Sequence, residues 1–522
     1  MRNRSMYCTF VVALVALATL PVAANTIRTA GATDDCTGYT ITVSGTNLGV
    51  PSIIVNYTIT LTPTSGSPIV ITDSLVATRI PHSHGAYSGS NTQTWAHYGA
   101  TLNTGYTLTG KATLATPHPH YKSIAFAPAT LSCAVVVQGS CLPSSSLGLL
   151  AKGTAVTAYV PNGAWSTSNT GLQVVPLEPT TGTPASIATA NTVNSCASNS
   201  TTGETVCSSN ANDVYLITGS TLNTTLASGG DQATGFSGGS CVTCGVAMNG
   251  TANQAVMTIG LSTAASGSGI QFLDLATNTF SAPVPAANHV SEDVLWDETR
   301  NLVLSPNEEG IYDLFKTSPS VAEFGNLFGA TGEPDSAAED CTTGIALTTL
   351  EFTSSLYIGD LTQATFTPGA PGTWTTAQQI QNLPEFGPFA AGTSGIAVAP
   401  GSHLAIVTGE FGGNAFGAIQ LPSTSGSGTP AVVDYAAAVL PNTPDGNTFQ
   451  QGLDPHTVTA YVSPNSSKAI GLMANGPGVA PTWLAVIDLQ ALLNAPRTAG
   501  THTVDPTYDL ILNGVVKYVS TI

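Results

Sequence analysis

Four histidines stand as two His-x-His pairs, His82 and His84 in "IPHSHG" and His118 and His120 in "TPHPHY". Neutral imidazole suits zinc and copper, and four converging rings would make a complete ligand set. The plain alternative is two exposed loops, with Pro81, Pro117 and Pro119 stiffening the turns. A motif without structural context does not choose between them. A second set is acidic: Glu292 and Asp293 in "HVSEDVLWD", Glu339 and Asp340 in "AAEDCTTGIAL", and Asp454 with His456 in "GLDPHTVTAYV". Gathered at one point, such oxygens suit Ca²⁺ or Mg²⁺. They would repel one another unless a cation or a proton relieved them. A calcium ion there would be structural or would polarise a substrate carbonyl, with His456 or His289 as general base. The competing reading is that these acids cap strand ends or face water. Calcium is thus the cofactor expected first, and zinc or copper second.

Other chemistries lack their motifs. The sequence has no Gly-x-Ser-x-Gly elbow, no His-Glu-x-x-His and no phosphate-cradling loop. The formal net charge is −18, and near −20 without the first two arginines. That charge disfavours nucleic acid and anionic lipid, and favours cations or basic partners.

Residues 1–24 read as a signal peptide: Arg2 and Arg4, the apolar "FVVALVALATL", then "VAA" before Asn25. The apolar stretch is too short to span a bilayer, and no later segment is long enough, so the mature chain is expected to have no transmembrane segment. Removing Cys8 leaves Cys36, Cys133, Cys141, Cys196, Cys207, Cys241, Cys244 and Cys341, an even set that reads as disulfides in an exported chain. The lone "CVTC" of Cys241 and Cys244 reads as a structural disulfide rather than half of a zinc ribbon.

Charged residues are 8% of the chain, and Gly, Ser, Thr and Ala dominate, which predicts an all-β fold. Acidity is uneven. Before residue 136 stand only Asp34, Asp35 and Asp73; beyond it lie 27 acidic residues against 6 basic. Two domains are expected, 25–135 and 136–522. In the first, "SIIVNYTITLTP" sets Val55, Tyr57, Ile59 and Leu61 on one face and Asn56, Thr58, Thr60 and Thr62 on the other. Such alternation describes half-buried antiparallel strands, and the length suits an immunoglobulin-like sandwich, with Cys36 paired to Cys133 across its ends. If one strand separates the two His-x-His strands, both loops leave the same end.

The second domain repeats. "SGIAVAPGSHLAIVTGEFGGNAFGAIQLP", "CGVAMNGTANQAVMTIGLSTAASGSGIQFLDLATNTF" and "HTVTAYVSPNSSKAIGLMANGPGVAPTWLAVIDLQ" share strand, small-residue turn, apolar strand and a last strand ending near Asp. Asp274, Asp313, Asp360 and Asp488 fall at matching places. Repeats of this length with short strands predict a β-propeller. Seven blades are favoured, and six would also satisfy the spacing. The C-terminal "NGVVKYVST" is expected to close the ring by supplying an inner strand to the first unit, and Cys196 with Cys207 to staple one hairpin. These copies resemble the YVTN-type propeller repeat of secreted bacterial and archaeal proteins, loosely, over residues 145–522. The resemblance implies the fold, in a family that includes binding proteins, surface-layer proteins and relatives of lactone-cleaving enzymes.

The function expected is an exported propeller that binds or scaffolds at the cell envelope or outside the cell. Its partner would be a protein, a small molecule or a carbohydrate recognised at the acidic channel face, without catalysis. The rival is a calcium-dependent lactonase-type hydrolase acting in that channel, in the periplasm or beyond.

Overall fold

The computed structural model describes residues 26–522 except 35–37, 47–49, 64–67, 84, 95–105, 116–122, 127–128, 132–146, 164–168, 234–240, 287–292, 307–311, 317–321, 327–332, 352, 364–377, 387–391, 410–413, 427, 450–457 and 476–481. The expected signal peptide, Cys36, Cys133, Cys141, Trp95, His84, His97, His118, His120, His289, Glu292, Asp454 and His456 lie outside the described residues. The chain divides into two compact units, Met1–Val135 and Val136–Ile522.

In the first unit the strands are β1 (Thr26–Asp34), β2 (Gly38–Thr46), β3 (Ser52–Pro63), β4 (Ile69–Arg79), β5 (Tyr87–Thr94), β6 (Tyr106–Leu114), β7 (Ile124–Ala125) and β8 (Ala129–Leu131). They hydrogen-bond as one sheet, β1-β2-β5-β4-β3-β6-β7, with β8 on β6. An immunoglobulin-like pair of separate sheets is therefore not what is seen. The join is narrow: β4 and β5 share two residue pairs, Thr78 with Ser88 and Arg79 with Tyr87. The sheet curls until β1 touches β6 and β7. Val55, Tyr57, Ile59 and Leu61 are buried inside this curl with Ile41, Val43, Leu75 and Tyr87, as the alternation requires. Both β4 and β6 run antiparallel to β3, so they finish at the same end of it, Thr78 opposite Ser52 and Leu114 opposite Val55.

The second unit is built of antiparallel sheets in a propeller-like arrangement, with one short helix at Leu489–Leu493. Among the described residues, six four-stranded sheets and one five-stranded sheet follow one another in chain order. Numbered along the chain, their inner strands are Gly148–Lys152, Val193–Asn199, Thr243–Asn249, Leu295–Asp297, Glu333–Asp340, Thr393–Ala399 and Val458–Val462. Each inner strand packs on the next. Sandwiched between successive sheets are apolar clusters, such as Val206, Met248 and Met257 between the second and third. Ile396, Leu347 and Phe386 fill the space between the fifth and sixth. Leu149, Val156, Leu472 and Leu484 join the first sheet to the seventh. Burial on both faces explains why these strands read as continuous apolar runs.

The last strand, Val516–Ser520, pairs with Trp483–Asp488 as the outer strand of the seventh sheet. The first sheet holds four strands of its own from 148 to 187, so the C-terminal strand does not supply it. Ring closure instead uses side chains. Glu178 of the first sheet accepts hydrogen bonds from Tyr461 (2.8 Å), Ser463 (2.8 Å) and Asn465 (2.7 Å) of the seventh. Asp274, Asp360 and Asp488 end the third strands of their sheets, whereas Asp313 is the second residue of Tyr312–Lys316 and breaks the match. At those ends the carboxylate accepts backbone N–H groups of the following turn, Ala276 for Asp274 and Ala491 for Asp488.

Candidate functional site

Each inner strand presents two ends, and the structure gives each end its own chemistry. At the turn leading to the second strand, a residue with left-handed backbone precedes that strand in every sheet: Gly153, Gly203, Asn253, Asn301, Gly344, His403 and Ser467. Asn and Gly tolerate this conformation best. At the corner itself a short polar side chain accepts a turn N–H: Asn199 from Thr201, Asn249 from Ala252, Asp297 from Arg300, Asp340 from Thr342 and Ser463 from Asn465. These are the "NGTA" and "SPNS" turns seen from inside.

The same corners tie sheet to sheet. Asn199 donates to Asn253 at 2.8 Å and Gly250 N–H to Glu298 at 2.8 Å. Arg300 bridges Asp297 at 2.9 Å and Glu339 at 3.0 Å, and Asp340 meets His403 Nδ1 at 2.5 Å. Asp297, Glu339 and Asp340 are buried. A Cβ on Gly344 would displace the Arg300 guanidinium, and its φ of 79° lies in the left-handed region that favours glycine. Burial, then the neighbouring Asp297, pushes the Glu339 carboxyl well above its usual range, although Arg300 opposes the shift. Among the described residues its Oε2 has no hydrogen-bond partner.

At the opposite end, among the described residues, four inner strands carry the same irregularity. The ladder steps three residues on the inner strand against two on its neighbour between Val193 and Cys196, Thr243 and Val246, Pro334 and Ala337, and Thr393 and Ile396. Each is a β-bulge with one extra residue. The bulged pairs are Asn194-Ser195, Cys244-Gly245, Asp335-Ser336 and Ser394-Gly395. Opposite them stand Ser208, Thr258, Thr349 and Thr408, all buried. Each hydroxyl bonds the backbone of the second bulged residue: Ser195 N–H to Ser208, Gly245 N–H to Thr258, Ser336 N–H to Thr349, and Thr408 to the Gly395 carbonyl. In the fourth sheet Ser305 donates to the Asp293 carbonyl.

Bulged residues also reach the next sheet. Val246 N–H donates to Ser195 Oγ, Ser336 Oγ to Asp293 Oδ2 at 2.6 Å, Ile396 N–H to Ser336 Oγ, and Ser394 Oγ to Asp335 Oδ2 at 2.8 Å. Polar side chains therefore follow one another around the inner strands. Asn194 is 1% exposed, and among the described residues neither its Oδ1 nor its Nδ2 has a hydrogen-bond partner.

The expected acidic set is thereby divided. Asp293 lies at the bulged end; Glu339 and Asp340 lie at the turn end. Four residues separate the two levels, ~13 Å along a strand. The sequence gathers them at one point, but Glu339 and Asp340 close the strand Glu333–Asp340. His82 is exposed with left-handed backbone (φ 60°) in the turn after β4. Among the described residues no three of His, Cys, Asp and Glu converge as a metal group. Sequence reasoning missed Asn194, Asp297, Arg300, Asp335 and His403. A signal was available for the bulges: a small residue precedes Ser or Thr by thirteen positions at 195/208, 245/258, 336/349 and 395/408.

Cys196 and Cys207 face each other across the first hairpin of the second sheet and are disulfide-bonded, as are Cys241 and Cys244. Among the described residues no helix is long and apolar enough to cross a membrane. The chain matches no family model and no curated protein. It is similar to a functionally unknown protein from Desulfotomaculum acetoxidans DSM 771. That structure is 13% identical, with 72% of this chain and 99% of that one covered and a TM-score of 0.37, and carries no argument about activity.

Proposed function

We propose that this chain is an exported propeller, a single ring of seven blades of the YVTN type, that binds a partner at its channel face and performs no chemistry on it. The observation carrying this reading is the use made of the acids. Asp297, Glu339 and Asp340 are consumed in tying neighbouring sheets together, and Asp293 and Asp335 accept hydroxyls from the next sheet. Side chains fixed in this way build a rigid ring whose loops are free to recognise a ligand. The two disulfides support an oxidising compartment, periplasmic or extracellular. Surface recognition of an envelope polysaccharide fits a chain poor in charge and rich in Ser, Thr and Asn.

The test uses the exported protein, identified by a mature N-terminus near Asn25. It is mixed with insoluble polysaccharides and, separately, with short lactones plus calcium. Saturable co-sedimentation without lactone turnover is the expected result. Calcium-dependent turnover that falls at least ~100-fold in Asp335→Asn would overturn the scaffold reading in favour of a hydrolase.

A further inference from the structure

The second to fifth inner strands end on polar corners, Asn199, Asn249, Asp297 and Asp340. Asn199 and Asp340 reach the left-handed residue of the following sheet's turn, Asn253 and His403. The sixth inner strand ends on Ala399 instead. A methyl group makes no hydrogen bond, so among the described residues Ser467, the left-handed residue of the seventh sheet, meets no corner side chain. At this seam lies a cavity of about 490 Å³. Sites for small organic ligands occupy roughly 300–1,000 Å³.

The lining has a definite chemistry. Ser402, Ser467, Gln490 and Asn494 supply hydroxyls and carboxamides, groups that both donate and accept. Leu404, Ala469 and Ala491 supply apolar wall beside them. The charged lining residues neutralise each other, Lys468 Nζ lying 2.7 Å from Asp488 Oδ2. The other oxygen of Asp488 accepts the Ala491 N–H. Ser467, Gln490 and Asn494 are exposed, so their polar atoms are open to a ligand.

We propose that this cavity binds a neutral saccharide unit. A sugar hydroxyl donates and accepts at once, as these side chains do, and the C–H faces of its ring suit the apolar wall. An anion is opposed by the acidic excess of the unit, 27 acidic residues against 6 basic. A cation finds Asp488 already committed to Lys468 and to the turn. The proposal rests on the polysaccharide reading above and gives it a site on second and third strands, where Leu404, Ala469 and Asp488 lie, rather than on the inner ones.

Saturation-transfer NMR and calorimetry on the full mature chain test this with cellobiose, maltose, mannobiose and N,N′-diacetylchitobiose, and with digalacturonate as the anionic control. At least one neutral disaccharide should bind with a Kd on the order of 1 mM. Digalacturonate should bind at least ~tenfold more weakly. Ala491→Trp fills the cavity and should weaken binding at least ~tenfold. Gln490→Ala and Asn494→Ala, both at exposed positions, should each weaken it about threefold with Tm unchanged. These mild variants decide the matter if Ala491→Trp folds poorly. Failure of every neutral disaccharide to bind overturns the proposal. So does binding undiminished when Gln490→Ala and Asn494→Ala are combined, or tighter binding of digalacturonate. Co-sedimentation with polysaccharide is scored separately: a chain that co-sediments yet binds no disaccharide keeps the scaffold reading and loses this site.

Discussion

Glu339 shows how much of this protein's chemistry is internal. Its carboxyl is buried at the seam of the fourth and fifth sheets, beside Asp297, with one oxygen on Arg300 and the other unmet. Burial raises its pKa well above 4.5, so the folded state holds a proton that the unfolded chain releases near that value. A raised carboxyl pKa contributes stability that is complete below the unfolded value and is lost as pH rises through the folded one. Stability should therefore decline as pH climbs from the ordinary carboxyl range toward the raised pKa. Glu339→Gln keeps an oxygen for Arg300 and cannot ionise, so its Tm should depend less on pH than that of the parent. Thermal melts of both proteins across that window check this; coincident profiles would place the proton elsewhere. His403 belongs to the same row through Asp340, and its left-handed backbone explains a histidine in a turn slot otherwise given to Gly, Asn or Ser. The sequence flags Glu339 and Asp340 as a pair with potential chemistry. It does not reveal Arg300 thirty-nine residues away, because salt-bridge partners between sheets follow no local period.

Among the elements, the inner hairpin is the unit that repeats most faithfully. Its strand, left-handed turn and second strand fix thirteen residues between the bulge and the hydroxyl that serves it. Thr349 accepts the Ser336 N–H at 3.1 Å in a fully buried site. Thr349→Val preserves shape and strands that N–H, which should cost about 1–3 kcal/mol. Thr258→Val should cost a similar amount, because Gly245 N–H donates to Thr258 in the same way. Exposed Thr221→Val should stay within about 0.5 kcal/mol. Urea denaturation midpoints compare the three, and equal effects at all positions would mean the bulge bond contributes nothing special. Strand placement was legible because alternation and apolar runs report burial directly, and the stapled Cys196–Cys207 hairpin follows from the same register. Bulges were not legible from periodicity. One inserted residue shifts the faces of a strand without changing its composition. The first unit misled for a related reason: two residue pairs between β4 and β5 decide whether its strands form one sheet or two, and no pattern in "IPHSHGAYS" specifies them.

For the molecule as a whole, charge separates the units more sharply than composition does. Residues 136–522 carry 27 acidic side chains against 6 basic, while Asp34, Asp35 and Asp73 are the only acids before them. Each unit has a core of its own, Tyr57 and Tyr87 in the first and the inter-sheet clusters in the second, so each should unfold as a cooperative unit. Like charge in excess destabilises a compact state through self-repulsion. Salt screens it, since the Debye length shrinks from about 30 Å at 0.01 M to about 8 Å at 0.15 M. Seam acids such as Asp297 and Asp340 are buried and respond little over that range, whereas exposed acids such as Asp445 and Asp509 are screened. Scanning calorimetry should accordingly show two transitions, and the one belonging to residues 136–522 should move upward by a few degrees between 0.01 M and 0.15 M NaCl. The other should stay in place. A shift shared equally by both would mean that the acidity of the second unit is already neutralised at low salt, by a bound cation or by protons such as that on Glu339. Repeating the scan after exhaustive chelation then separates the two: an upward shift restored by chelation assigns the neutralising charge to metal, and an unchanged one assigns it to protons.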